Sequence, residues 1–258
     1  MNPAPDPVTD HNQYQREYFE RADHPSLKPT GSLYLRRHIE AMVRFTGIKP
    51  GDRVLEVGCG MGRYTLLMAE QGIKVEGLDL SAQLLAKMQE HNTAGHDIPV
   101  HAFDLLECPP EMFGTFDAVI GFFVLHHVHD LDACFSMSAK LVRPGGHVAF
   151  LEPNPSNPLY YVQIFATPEM SFEGERGMRD MRPQTIGPAM VRAGLDSTTF
   201  TRFGYFPPFV TNQRWGARLE TALERLPMWQ PAHPFQLFGG ERPSAEPGAG
   251  GLEGATRS

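Results

Sequence analysis

The sequence predicts an α/β fold in which a doubly wound, mostly parallel sheet carries helices on both of its faces. Segments typical of strands alternate with segments typical of amphipathic helices from residue 53 to residue 153. The strand segments are uniformly apolar, which is typical of parallel strands buried on both sides. A glycine-rich turn directly follows the first strand, as expected where a strand leads into a helix beside a ligand.

The alternation assigns the elements in chain order. The strands are predicted at residues 53–58, 74–79, 98–104, 116–122, 147–153, 196–206 and 233–240. The helices are predicted at residues 13–23, 32–47, 62–72, 81–92, 131–142, 183–195 and 210–226. Ser32 and Ser81 are suitable N-caps, and Gly47 is a suitable helix end. Residues 105–115 leave room only for a short or degraded helix before the fourth strand.

Composition and charge argue against several classes of protein. A chain of 258 residues, 41% of them hydrophobic, can fill the core of one large domain. A formal net charge of -7 argues against a nucleic-acid surface. Cys59, Cys108 and Cys134 form no CxxC pair, which predicts a reducing, cytoplasmic location without structural zinc. No segment is long and apolar enough to cross a bilayer, so we expect no stable membrane insertion.

The glycine-rich turn, VLEVGCGMG, indicates a ligand at the carboxyl edge of the sheet. Gly58, Gly60 and Gly62 allow a sharp turn and a close approach of backbone to the ligand. The dinucleotide pattern G-x-G-x-x-G fails by one residue, because its third glycine would fall on Arg63. Glu56, just before the turn, would repel a pyrophosphate and attract a cation. The turn therefore favours a positively charged ligand.

Two further acids follow the next two predicted strands. Asp79 lies about 20 residues beyond the first loop glycine, where a carboxylate can accept hydrogen bonds from ribose hydroxyls. Asp104 ends the third strand and could reach an exocyclic adenine amine. Either acid could instead cap the helix that follows it. Together with Glu56 they predict an adenosine with a positive charge across the strand ends.

Five ordered segments resemble the motifs of class I S-adenosylmethionine-dependent methyltransferases, especially those acting on quinones and natural products. The segments are VLEVGCGMGRYT, VEGLD, AFDLLE, FDAVIGFFVLHHVHD and LVRPGGHVAFLEPN. The resemblance spans about residues 50–155 and implies S-adenosylmethionine as the cofactor. It implies that Glu56 and the loop glycines hold the methionine moiety, Asp79 with Leu80 the ribose, Asp104 with Leu105 the adenine, and Gly121 with Phe122 the amino-acid end.

The resemblance, together with the composition of the segments, predicts the organisation of the chain. We expect a Rossmann-like sheet of seven strands, the last two antiparallel. Residues 1–47 are predicted to form a helical cap over the active site, and residues 48–240 the methyltransferase domain. A lid insert is expected at residues 153–182, a helical insert at residues 207–230 and a disordered tail at residues 241–258.

Three histidines follow the fourth strand in the stretch LHHVHD: His126, His127 and His129. A histidine there could act as a general base for a hydroxyl acceptor, pack at a helix start, or gather a cation with Asp130. The carboxylate cluster typical of metal-dependent O-methyltransferases is not apparent, so we predict no metal. His126 and His127 are our candidate catalytic residues.

The predicted function is S-adenosylmethionine-dependent methyl transfer to a small, partly apolar molecule, with oxygen as the preferred acceptor atom. Carbon or nitrogen of a small molecule, or a macromolecule, are alternative acceptors. A nucleotide-dependent oxidoreductase or a nucleoside-binding protein without chemistry is an alternative of another class. The acceptor and its pathway stay open, and the helical insert could close the acceptor pocket or form a homodimer.

Overall fold

The computed structural model describes residues 12–17, 20, 28–158, 176–225 and 233–244. Residues 12–17 are helical, in agreement with the first predicted helix as far as that helix is described. Most of the predicted lid, residues 159–175, and most of the predicted tail, residues 245–258, lie outside the described residues. The lid and the disordered tail therefore stay predictions.

One sheet of seven strands forms the centre of the described chain. Its strands are β1 (Arg53–Val57), β2 (Lys74–Leu78), β3 (Val100–His101), β4 (Phe116–Phe122), β5 (Val142–Pro153), β6 (Asp196–Phe203) and β7 (Phe235–Glu241). Their order across the sheet is β3-β2-β1-β4-β5-β7-β6. All neighbours are parallel except β7, which is antiparallel to both β5 and β6. The predicted doubly wound sheet with an antiparallel end is confirmed.

Helices cover both faces of this sheet. They are α1 (Leu33–Thr46), α2 (Thr65–Glu70), α3 (Ala82–His91), α4 (Leu131–Leu141), α5 (Pro183–Arg192), α6 (Pro208–Thr211) and α7 (Arg214–Leu223). The caps predicted for α1 and α3 are present, because Ser32 accepts from the Leu35 amide and Ser81 from the Leu84 amide. Gly47 ends α1 with a left-handed backbone, as predicted.

The strands divide the core into two layers by simple alternation. Leu55 and Phe150 point to one face and pack in the cluster that contains Phe135. Val54 and Ile120 point to the other face and pack against α1. No helix in the described ranges is long and apolar enough to span a membrane.

The largest errors in the predicted strand boundaries are at β3 and β5; in addition, β6 ends at Phe203, three residues early, and β7 begins at Phe235, two residues late. β3 contains only two of the seven predicted residues, because it is an edge strand and Asp104 already caps a 3-10 turn at Leu105–Glu107. β5 begins at Val142 instead of residue 147, because Val142 already pairs with Phe116 and the irregular stretch that follows, with left-handed Gly145, bonds to Arg242. A second 3-10 turn lies at Pro110–Met112. The connection between the third and fourth strands thus contains two short turns, where a short or degraded helix was predicted.

The single helix predicted at residues 210–226 is in fact two helices, α6 and α7. The chain turns at Asn212 and Gln213 and folds α7 back against α6. Gly216 makes this contact close, since a Cβ there would lie 2.1 Å from the Val210 carbonyl oxygen. The start of the tail predicted at residue 241 is also wrong, because Glu241 belongs to β7 and the Arg242 backbone bonds to Gly145 and Gly146.

Candidate active site

The glycine loop after β1 adopts the strained turn that its sequence predicts. All three loop glycines have positive φ, between 52° and 81°. A Cβ on Gly58 would lie 2.3 Å from Val124 Cγ2, and one on Gly62 would lie 2.5 Å from Met88 Cγ. The Gly58 amide donates to the Leu78 carbonyl at 2.7 Å, which ties the loop to the end of β2. The loop therefore has a fixed path that larger residues would not allow.

Asp79 connects this loop to the next helix. Its Oδ2 accepts from the Gly60 amide at 2.8 Å, and its Oδ1 accepts from the Ser81 amide at 2.9 Å. Burial raises the pKa of Asp79 against the lowering effect of these two hydrogen bonds. Each carboxylate oxygen has a second lone pair that can accept from a ligand hydroxyl. Asp79 and the partly buried Leu80, which are predicted to hold the ribose, lie directly after β2.

Glu56 is a second acid at the same edge, and it is only 1% exposed. The Thr65 hydroxyl donates to its Oε2 at 2.6 Å. Burial raises the pKa of Glu56 to about 8, and the nearby Asp79 carboxylate adds to this effect. Without a cation beside it, Glu56 is therefore mostly protonated at neutral pH.

Asp104 both caps a 3-10 turn and contacts the N-terminal helical residues. Its Oδ1 accepts from the Leu106 amide at 2.8 Å, so the capping alternative is present in the structure. The Asn12 side-chain amide donates to its Oδ2. Glu20 accepts a hydrogen bond from the Ser81 hydroxyl at 2.6 Å. Residues 12 and 20 thus contact the strand ends, and Leu105 is buried beside Asp104.

The end of β4 brings an aromatic pair to the glycine loop. Phe122 stacks on Tyr64, the residue before α2, with ring centroids 4.1 Å apart and ring planes 14° apart. Gly121 is packed so closely that a Cβ would lie 2.6 Å from Val124 Cγ1. Phe123 has a φ of 55°, a strained value for a bulky residue. The predicted amino-acid end of the cofactor site is therefore a crowded, defined surface.

Glu152 is a functional candidate that the sequence prediction missed. It lies near the end of β5 with no exposed surface. Its Oε1 accepts from the Val124 amide at 2.9 Å and the Leu125 amide at 2.6 Å. Its Oε2 lies 2.5 Å from His126 Nδ1. A lone acid at the end of the apolar stretch HVAFLEP was the available signal.

The predicted catalytic histidines lie next to each other in a 3-10 turn, Leu125–His127. His126 is buried and bonded to Glu152, and the His127 ring lies 4.0 Å from the His126 ring between centroids. Among the described residues, no group of three or more His, Cys, Asp or Glu side chains is arranged to hold a metal ion. That no metal is used stays a prediction.

Taken together, the glycine loop and its acids fit a cationic nucleoside. The Asp79 carboxylate adds to the raised pKa of Glu56, and Asp79 holds the loop by Gly60. A positive ligand would stabilise the ionised form of Glu56 beside Asp79, whereas a pyrophosphate would be repelled by these acids. The chemistry of the donor set therefore agrees with S-adenosylmethionine and disfavours a dinucleotide.

Comparison with known proteins gives the family. The model of the methyltransferase domain family matches residues 30–199. The chain is 32% identical over 162 residues to the ubiquinone biosynthesis O-methyltransferase of Chromobacterium violaceum, covering 61% of this chain and 70% of the relative. It is 31% identical over 162 residues to the enzyme of the same name from Aromatoleum aromaticum, covering 61% and 69%.

Solved structures share the fold at lower identity. Phosphoethanolamine N-methyltransferase 2 from Haemonchus contortus, solved with S-adenosylhomocysteine, has a TM-score of 0.60 and 18% identity, covering 89% of this chain and 60% of that one. Geranyl diphosphate C-methyltransferase from Streptomyces coelicolor has a TM-score of 0.56 and 18% identity, covering 92% and 100%. The fold and the family match agree, and the chain belongs to the methyltransferase domain family as an S-adenosylmethionine-dependent methyltransferase.

Proposed function

We propose that this methyltransferase methylates an oxygen atom of a small, partly apolar acceptor. The observation that carries the proposal is the buried hydrogen bond between His126 and Glu152 at the carboxyl edge of the sheet. A hydroxyl acceptor gains from a general base, and a histidine oriented by a buried carboxylate is suited to that role. The names of the curated relatives, ubiquinone biosynthesis O-methyltransferases, point to the same acceptor atom.

The cofactor, when bound, supplies a methyl group on a sulfonium sulfur, and this sulfur is a good leaving group because it departs as a neutral thioether. The residues proposed to hold it are Glu56, Gly58, Gly60 and Gly62 for the methionine moiety, Asp79 and Leu80 for the ribose, Asp104 and Leu105 for the adenine, and Gly121 and Phe122 for the amino-acid end. Two acids at the ends of β1 and β2 favour the positive charge electrostatically. The contacts of Asn12 and Glu20 support a cap by residues 1–47 over this surface.

His126 is our proposed base. Its Nδ1 is committed to Glu152, so Nε2 is the nitrogen that would accept the hydroxyl proton as the oxygen attacks the methyl group. The buried carboxylate then stabilises the imidazolium that forms. Glu152 also accepts from two backbone amides of the same turn, which fixes the ring's position. His127, stacked on His126, is the second candidate base.

An acceptor screen tests this function directly. Wild-type enzyme would be incubated with methyl-labelled S-adenosylmethionine and a panel of hydroxylated, aminated and carbon-nucleophile aromatics that carry apolar tails. Mass spectrometry and fragmentation then locate the label. We expect O-methyl products. Products labelled only on nitrogen or carbon would contradict the proposed acceptor atom.

Substitution of the base gives the mechanistic part of the test. His126→Gln should lower turnover by about 10²–10⁴-fold and leave cofactor affinity unchanged, because general-base catalysis contributes about that much. Glu152→Gln should also lower turnover, since the ring loses its charged partner. His91→Gln, an exposed change at the end of α3, is the matched control. Full activity of His126→Gln would contradict His126 as the base. The base would then be His127, or the reaction would use no base.

A further inference from the structure

His38 is a buried histidine outside the predicted site, and five aromatic rings surround it. It lies on α1 and is only 2% exposed. The ring centroids of its neighbours lie 4.4 to 5.9 Å from its own. These neighbours, which we call the aromatic box, are Tyr34, Tyr64, Phe123, Phe203 and Phe235. A polar ring enclosed in this way needs a hydrogen-bonding explanation.

Only one of the two ring nitrogens of His38 has a partner. Nδ1 lies 2.8 Å from the Tyr64 hydroxyl oxygen. Nε2 is buried and makes no hydrogen bond to any part of the chain that the structure describes. Burial, with Arg63 and Arg37 nearby, holds the pKa of His38 well below its usual value, so the ring is neutral. A neutral ring has one N–H donor and one acceptor nitrogen.

The strengths of donor and acceptor favour one tautomer. If Nδ1–H donated to Tyr64, the tyrosine proton and the Nε2 lone pair would lack partners. If the Tyr64 hydroxyl donates to Nδ1, the Nε2–H donor and a tyrosine oxygen lone pair lack them. The second arrangement pairs the more acidic phenol proton with the more basic imidazole nitrogen and is therefore favoured. His38 then offers one N–H to a group that accepts a hydrogen bond.

The aromatic box lies where an acceptor would meet the cofactor site. Tyr64 stacks on Phe122 at the end of β4, and Phe123 follows directly. Phe203 ends β6 and Phe235 begins β7, which places both at the same edge of the sheet. Tyr34, Phe123, Phe203 and Phe235 are partly exposed, whereas His38 and Tyr64 are buried beneath them.

We propose that the aromatic box binds the ring of an aromatic acceptor, and that His38 Nε2–H donates a hydrogen bond to a second oxygen of that acceptor. This inference rests on the proposed function and names the acceptor class: an aromatic ring with a lone-pair oxygen besides the methylated hydroxyl. Aromatic side chains bind such a ring by stacking and edge contacts. Because the His38 N–H donor is neutral, the acceptor oxygen that it recognises does not need to carry a charge. His38 is thus a specificity-determining residue, and Tyr64 positions it.

A matched pair of probes tests the assignment without turnover. A 2-ethyl-4-alkylphenol and a 2-methoxy-4-alkylphenol with the same tail have nearly the same shape and differ only in a methylene group against an ether oxygen, which can accept a hydrogen bond but not donate one. Their affinities would be measured calorimetrically with S-adenosylhomocysteine present. Wild type should prefer the methoxy compound by about tenfold or more, because the other probe leaves the buried N–H donor of His38 without a hydrogen-bond partner. His38→Phe should bind both probes equally.

The outcomes separate this inference from its alternatives. A purely structural His38 would weaken both probes by the same factor on substitution, which would overturn the assignment. Equal wild-type affinity for the two probes, or no binding of either, would also overturn it. If His38→Phe does not fold, Tyr64→Phe keeps the stack on Phe122 and should reduce the preference in the same direction. Failure of the proposed function would appear separately, as absence of O-methylation in the acceptor screen.

Discussion

At the scale of single residues, Glu56 has three properties that should couple cofactor binding to the release of a proton. It is buried, it accepts a hydrogen bond from the Thr65 hydroxyl, and it lies near Asp79. Burial raises its pKa to about 8, so it is largely neutral at pH 7. A cation beside it stabilises the ionised form. Binding of a sulfonium should therefore expel a proton.

Calorimetry can measure this proton directly. At pH 7, titration of S-adenosylmethionine in two buffers of different ionisation enthalpy should show net proton release, and affinity should rise as the pH approaches about 8 and level off above it. Glu56→Gln should abolish the release, whereas the exposed Glu40→Gln should not. The raised pKa also affects the stability of the unliganded fold. The contribution of neutral Glu56 to the free energy of unfolding is present at low pH and is lost as the pH rises through about 8. Proton uptake on binding would contradict the assignment.

The residues that sequence reasoning missed share one feature. Glu152 contacts His126 across 26 positions, and His38 contacts Tyr64 across 26 positions. Each pairing depends on which strand ends and helices the fold brings together, and no local pattern encodes that. Gly58 and Asp79, in contrast, were predicted because their roles follow from a strand end and the turn after it. Local chemistry was predictable, and long-range polar pairing was not.

At the scale of elements, the contact between α6 and α7 depends on one glycine. Gly216→Ala would place a Cβ 2.1 Å from the Val210 carbonyl oxygen, which forces the helices apart. We expect a loss of about 1–3 kcal/mol in the free energy of unfolding, as for overpacking elsewhere. The measurement is chemical denaturation monitored by circular dichroism.

Gly187→Ala in α5 is the matched control for this change. A Cβ there meets nothing within 4 Å, so helix propensity alone should raise stability by about 0.5–1 kcal/mol. Opposite signs for the two glycines would support the packing account. Equal effects would show that α6 and α7 do not depend on the close contact.

Element boundaries show where the sequence signal ends. The caps at Ser32 and Ser81 were predictable because a side chain and a nearby amide decide them. The short β3 and the early start of β5 were not predictable, because the length of a strand depends on its pairing partners. β3 is an edge strand that pairs with β2, and β5 starts early because Val142 pairs with Phe116. The break between α6 and α7 depends on packing as well.

At the scale of the whole molecule, the described functional groups share the carboxyl edge of one sheet. The acids at the ends of β1 and β2 lie next to the glycine loop, while β4 and β5 bring His126 and Glu152 together. The aromatic box lies on the α1 side of the same edge. The places that we propose for the nucleoside, the base and the acceptor ring are therefore separate along this edge. A homodimer stays a prediction, with Phe209 and Trp215 as its exposed apolar candidates.

The most direct test of the account is a comparative titration of wild type and Asp79→Ala with S-adenosylmethionine, S-adenosylhomocysteine and an oxidised nicotinamide dinucleotide. The account predicts that wild type binds both adenosyl ligands and ignores the dinucleotide. Asp79→Ala should weaken both by about tenfold or more, because charge-assisted hydrogen bonds are lost, whereas the exposed Asp97→Ala should not. Capture of the dinucleotide, or unchanged affinity in Asp79→Ala, would contradict it.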